Sequence, residues 1–314
     1  MRNIEVEIHS SVCLKGTLSF PDIKQEQYPV ILILPGSGNN DRDGNNIKMK
    51  LVGNLYQKIA EEFARMGFAS LRYDKRGAGK SGGEPLTTGF LDLVEDADVA
   101  FQFLKEHPEV DPTKIFLFGH SEGSFICPAV SLKQQAAGII LVSGGGETME
   151  SSTNHQKQMT YKELMENKGI LGWLVRTFKL VDKAIKKDKK VMAKIMESQN
   201  NSLRIDGKKM PVKYIREAFG YNVIKDLEKV TCSVLALGGT KDLQTRAEKM
   251  ENLRDWVKGD VSIHTIHDMG HDLKIHEEEV KFLSLIKSFK NKMHAPLAPE
   301  FVSQMEEWLI ARKM

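Results

Sequence analysis

Apolar residues alternate with polar ones through Ile4–Ile8 and again through Val12–Phe20, the pattern of strands with one wet face, and together these segments predict an antiparallel pair. The pattern then changes. Short unbroken apolar runs at VILILP (30–35), FASLRY (68–73), KIFLFG (114–119), AGIILVSG (137–144) and CSVLALGG (232–239) predict strands covered on both faces, as in a parallel sheet. Between them the apolar positions take helical spacing. Leu51, Leu55, Ile59 and Phe63 step by four and stop at Gly67, while Phe90, Val94, Ala97, Phe101 and Leu104 form a second stripe. Strands alternating with helices specify a doubly wound α/β domain. An eighth strand from Val261 to Ile266 follows, and an amphipathic helix carrying Phe301, Met305, Trp308 and Leu309 closes the chain.

Residues 146–230 break that alternation. They offer no buried-strand run but lysine-rich helical text such as GILGWLVRTFKLVDKAIKKDKK (169–190), so we read residues 1–145 and 231–314 as one core and 146–230 as a helical insertion. The insertion holds 18 Lys and Arg against 11 Asp and Glu, a net charge of +7 in a chain whose total is +3, and the remainder is therefore net acidic at −4. So small a total, with acids and bases interleaved, does not imply a nucleic-acid partner, and none is expected. Cys13, Cys127 and Cys232 are widely spaced, without a CxxC pair, which fits buried thiols in a reducing compartment. The polar, alternating start MRNIEVEIHS is unlike a signal peptide and no apolar run reaches spanning length, so the expectation is a cytoplasmic protein with no stable membrane insertion.

Two stretches invite a ligand reading. GAGKS (77–81) has the end of a phosphate-binding loop, but the glycine that should open the motif is Asp74, whose carboxylate would repel phosphate. Asp41, Asp43 and Asn45 suggest calcium, yet an EF-hand loop needs glycine and glutamate where Asn46 and Val52 stand. Neither reading survives.

Directly after KIFLFG comes Gly119-His120-Ser121-Glu122-Gly123, a G-x-S-x-G turn at a strand-to-helix junction. Its serine needs a base, and the base an acid, in the order Ser, Asp, His. Asp242 follows one strand in GGTKDLQ and His271 follows the last strand in DMGHDL, both at strand ends where catalytic groups of an open sheet gather. His264 and His267 read as structural residues sharing a strand face, and Asp268 and Asp272 as loop or helix-capping groups. For the oxyanion, the expected donors are the N–H groups of Glu122 and of Ser37 in the turn after VILIL, with Gly36 second to Ser37.

With PGSGNNDRDGN, YDKRGAGKSGG, GHSEGS and its following ICPA, GGTKDLQ and MGH, the chain resembles bacterial α/β-hydrolases, the serine esterases and serine-peptidase-like hydrolases with a helical cap. The resemblance covers most of the chain outside 146–230. It implies an eight-stranded, mostly parallel sheet and makes Asp74, Arg76, Gly77, Gly79 and Ser81 a structural turn near the nucleophile. Two departures stand out: Ser124, where many relatives have a second glycine, and Asp272-Leu273-Lys274 after the histidine. The expected activity is acyl transfer to water on a small-molecule ester through Ser121, His271 and Asp242, with no cofactor and no metal. Peptidase, amidase, thioesterase and acyltransferase chemistry would use the same residues. A distant alternative is a noncatalytic membrane-surface protein, prompted by Ile170, Leu174, Phe178, Val181 and Ile185 on one face of a helix with Lys179, Lys183, Lys186 and Lys187 beside it. Against it stands a cap helix packed on the core.

Overall fold

The structure, a computed structural model, describes residues 1–313. Strands β1 (Arg2–His9) and β2 (Cys13–Phe20) pair antiparallel, and β2 runs antiparallel to β4 (Ala69–Tyr73). From there the sheet is parallel: with β3 (Tyr28–Leu34), β5 (Val110–His120), β6 (Gly138–Val142), β9 (Ser233–Gly239) and β10 (Val261–Ile266) its order is β1-β2-β4-β3-β5-β6-β9-β10. This is the eight-stranded, mostly parallel sheet that the family resemblance implies, with its antiparallel pair where the sequence alternates and its parallel strands at the apolar runs. The central strands are buried along their whole length because helices cover both faces. One face packs on α1 (Leu55–Arg65) and α11 (Pro299–Lys313), the other on α2 (Phe90–Glu106) and α3 (Glu122–Gln134).

Register places the chemistry. Leu34 of β3 sits beside Gly119 of β5, Gly119 beside Leu141 of β6, and Val142 beside Leu237 of β9, so the carboxyl ends of these strands lie level. The loops after β3, β5, β9 and β10 therefore open on one edge of the sheet, where ligand sites of open α/β folds form.

Between β6 and β9 lie α4 (Met149–Glu166), α5 (Ile170–Thr177), α6 (Leu180–Glu197), strands β7 (Leu203–Ile205) and β8 (Lys208–Met210), α7 (Val212–Gly220) and α8 (Val223–Leu227). Three expectations change here. The apolar face proposed from Ile170 to Ile185 is not on one helix, because Lys179 takes a left-handed conformation (φ 49°) and separates α5 from α6. The segment is not wholly helical either: Asp206-Gly207, at φ 50° and 78°, makes a tight turn joining β7 to β8. Finally, Val223, Leu227 and Val230 are buried in the core cluster beside α3, so α8 belongs to the helical layer on the sheet. Elsewhere, Leu51 precedes α1 rather than starting it. It bridges to Asn46, and Asn54 turns left-handed (φ 50°) before the helix begins.

Past β10 the chain forms α10 (Leu285–Lys292), and a four-residue helix, α9 (Leu253–Trp256), precedes that strand.

Candidate active site

Ser121 occupies the turn between β5 and α3 with φ 53° and ψ −114°, a strained conformation for a residue with a Cβ. Its surroundings fix that turn. Ser121 N–H donates to the Val142 carbonyl (2.9 Å), and its own carbonyl accepts from Ser124 N–H (3.0 Å) and Ser124 Oγ (2.6 Å). Ser124, the departure from the family pattern, thus braces the elbow. The glycines on either side have a steric reason: a Cβ on Gly119 would lie 2.4 Å from the Gly123 carbonyl oxygen, and one on Gly123 only 2.1 Å from that of Leu34.

His271 Nδ1 lies 2.8 Å from Asp242 Oδ2, and both side chains are buried. Asp242 follows β9 and also accepts from Gln244 N–H (2.8 Å), Thr245 N–H (3.0 Å) and Thr245 Oγ1 (2.7 Å). Burial pushes this carboxyl up, but the His271 charge and these hydrogen bonds outweigh it and hold it below its ordinary value. An ionised Asp242 can only accept, so His271 Nδ1 is the donor of this bond, and in the neutral imidazole the lone pair is then on Nε2. Ser121 and His271 line one wall together.

The rejected residues have other partners. Asp272 pairs with His276 Nε2 (2.8 Å), and Asp268 with Lys241 and His267. His267 lies just past β10 with its side chain 84% exposed, so it does not share a strand face with His264 as the alternation suggested. In the GAGKS loop, Asp74 accepts from Lys80 N–H (2.8 Å) and Arg42 N–H (2.7 Å) and pairs with the Arg42 guanidinium. The loop's own carboxylate takes the amide that a phosphate would need. Asp43 pairs with Arg72, and Asp41 caps its own turn through Asp43 and Asn45 N–H.

Two networks that spacing alone does not reveal hold the turn after β3. Gly36 N–H donates to Tyr56 Oη (2.6 Å), Tyr56 donates to His120 Nδ1 (2.9 Å), and His120 Nε2 donates to the His271 carbonyl (2.9 Å). Gly36 N–H is therefore committed, which favours Ser37 over it as an oxyanion donor. Burial, with the neighbouring His271 charge, pushes His120 down to about 3, and it stays neutral in this chain of donors. In the second network Lys75 Nζ donates to the Gly36 carbonyl (3.2 Å) and to Glu122 Oε1 (2.7 Å), while Tyr214 of α7 donates to Glu122 Oε2 (2.7 Å). Lys75 and Glu122 are both buried. Because a peptide is planar and trans, gripping the Gly36 oxygen aims the Ser37 N–H the opposite way.

Ser37 and Ser121 line two cavities. One, about 240 Å³, runs past His271, Asn46, Lys274, Phe289 and Met293. The other, about 470 Å³, lies under α4, α6 and α7 against Phe125, Met149, Met192, Ile195, Ile215 and Phe219. The helices over this cavity are tied to the acid loop: Ser152 Oγ and Gln156 Nε2 donate to the Gln244 carbonyl, and Arg246 pairs with Glu147.

A family model described as serine aminopeptidase, S33, matches residues 52–279, most of the chain. Esterase EstD of Thermotoga maritima is 22% identical over 260 residues, 82% of this chain and 57% of that protein. A polyketide transferase of Stachybotrys chlorohalonatus is 42% identical over 89 residues, 27% of this chain and 30% of the transferase. The chain thus spans less than two thirds of the length of these curated relatives. Est1E from Butyrivibrio proteoclasticus, solved with ferulic acid bound, superposes with a TM-score of 0.61 at 19% identity, over 93% of this chain and 98% of that one. An esterase from Pyrococcus furiosus gives 0.61 at 18% identity, over 100% and 91%. These structures share the fold, and by the match across residues 52–279 the chain belongs to the S33 family of α/β-hydrolases.

Proposed function

We propose that the chain is a carboxylic-ester hydrolase acting through an acyl-enzyme on Ser121. The observation that carries the reading is the His271–Asp242 hydrogen bond (2.8 Å) beside a serine held at positive φ. Ser121 Oγ bonds to the ester carbon as its proton passes to His271 Nε2, and the carbonyl electron pair moves onto oxygen. The Ser37 and Glu122 N–H groups hold that oxyanion. When the pair returns, the alcohol leaves with the proton from His271, and a water then repeats the sequence to release the acid. Asp242 orients the ring and stabilises the imidazolium.

The two cavities divide the substrate. The leaving oxygen must face the base, so the alcohol occupies the cavity that contains His271, and the acyl group occupies the larger one beneath α4, α6 and α7. Those helices act as a cap. The methionines and aliphatic residues of the larger cavity suit a flexible, medium-sized apolar acyl group. A second reading, transfer of the acyl group to an acceptor other than water, takes support from the 42% identity to a polyketide transferase over 89 residues. The test is a series of p-nitrophenyl esters of increasing acyl length. Medium chains are expected to turn over fastest, and Met192→Phe to shift the optimum to shorter ones. Ser121→Ala is expected to lose at least about a thousandfold while keeping its fold. Unchanged turnover in that variant refutes the assignment, and product ester formed with an added alcohol supports the second reading.

A further inference from the structure

Beside the helices that cover the acyl cavity, α5 and the start of α6 carry an outer face that the rest of the chain does not bury. In α5 only Gly172 and Val175 are buried, and Ile170 (80%), Leu171 (49%) and Trp173 (57%) stand exposed. The left-handed Lys179 then turns the chain so that Phe178 (52%) and Leu180 (43%) flank the junction. Five large apolar side chains within 11 residues, Ile170 to Leu180, make a contiguous outward stretch of sequence rather than scattered exposure.

The charge around them is predominantly positive, with Asp182 the one exposed carboxylate among the lysines of α6. Residues 168–190 hold eight Lys and Arg against two Asp, a net charge of +6. Arg176 is tied to the Met165 and Asn167 carbonyls, Lys187 to Asp206, and Asp188 to Tyr161 and Lys157. Lys179, Lys183 and Lys186 remain exposed, and among the described residues no carboxylate pairs with them. We infer that the outer face of α5 and the start of α6 docks peripherally on an anionic lipid bilayer. The apolar side chains would enter the boundary between headgroups and acyl chains, with Trp173 at headgroup depth and the lysines on lipid phosphates. A second copy is the poorer occupant, because a two-fold contact through this face would set +6 against +6. The contact is peripheral in kind, since no helix among the described residues is long and apolar enough to cross a membrane. The inner side of α6 lines the acyl cavity with Val191, Met192 and Ile195, so docking would set the cover of that cavity against the bilayer.

The test is co-sedimentation of the full chain with vesicles of pure phosphatidylcholine and with vesicles containing phosphatidylglycerol. Binding is expected only to the second kind, and added salt is expected to reverse it. Ile170→Ser/Trp173→Ser/Phe178→Ser is expected to abolish it. Lys179→Gln/Lys183→Gln/Lys186→Gln is expected to weaken it about a hundredfold. All six positions are exposed, so circular dichroism and hydrolysis of a soluble ester are expected to match wild type, which separates lost docking from lost folding or chemistry. Wild-type protein left in the supernatant with both vesicles overturns the inference. So does equal binding by all variants, or a dimer in sedimentation velocity that the serine variant dissolves.

Discussion

Lys75→Met removes the cation from a buried pair whose carboxylate belongs to Glu122, the residue after Ser121. In wild type Glu122 is 3% exposed and holds Lys75 at 2.7 Å and Tyr214 at 2.7 Å. Breaking a buried ion pair from one side costs about 3–5 kcal/mol, and Glu122→Met should cost a similar amount from the other. Replacing both with apolar groups is close to neutral in itself, leaving the Gly36 carbonyl and Tyr214 hydroxyl unpaired at about 1–2 kcal/mol each. The double variant is therefore expected to lose about 2–4 kcal/mol where additivity requires about 6–10. Urea unfolding followed by tryptophan fluorescence reads this as a double variant more stable than the sum of the singles by at least about 2 kcal/mol, at unchanged m. Kinetics separates stability from positioning. If Lys75 aims the Ser37 N–H through the Gly36 carbonyl, all three variants should lose about ten- to a hundredfold in kcat with KM within a few-fold. Costs that add within about 0.5 kcal/mol refute the coupling, and a double variant that regains kcat with its stability refutes the positioning role.

His271→Ala should damage turnover about as much as Ser121→Ala, with the double variant little worse than either, and Asp242→Asn should cost on the order of ten-thousandfold. A His267→Ala variant that is inactive while His271→Ala turns over would reassign the base. His120, held at about 3 when folded, binds a proton near 6.5 when unfolded, so the unfolded state holds more protons between those values and stability falls as pH drops through that window. Urea midpoints should decline from pH 7 to pH 4, more steeply once the Asp242 carboxylate titrates in the unfolded chain, and His120→Gln should flatten the upper part of that decline; an unchanged slope contradicts a neutral buried ring. Lys80→Ala should keep activity within a few-fold and ATP should not raise Tm, because Asp74 already occupies the Lys80 amide, and a shift of several degrees would restore the phosphate reading.

The sheet was legible because burial on both faces leaves an unbroken apolar run, and the Asp242–His271 pair beside Ser121 because chain order and strand ends bring these loops to one edge. What escaped has physical reasons. Apolar spacing continues across Lys179, so periodicity alone reads α5 and α6 as one helix, and only the backbone reveals the break. The β7–β8 strands are three residues each and half-exposed, too short to show a run, although Asp206-Gly207 is a hairpin signal in its own right. His120 sat inside the quoted motif, but its partners Tyr56 and the His271 carbonyl are 64 and 151 positions away and meet only through strand register. Lys75 lay in the quoted YDKRG stretch without a visible partner, and Tyr214 carried no sequence signal. Thr245, three residues after Asp242, is a local cap that spacing does suggest.

The central claim is that Ser121 is a nucleophile activated by His271. Incubation with a fluorophosphonate, then intact mass and peptide mapping, tests it without knowledge of the substrate. One adduct is expected, on the peptide containing Ser121, absent in Ser121→Ala and formed at least about a thousandfold more slowly in His271→Ala. Folded wild-type protein that takes no label, or takes it on another residue, contradicts the claim.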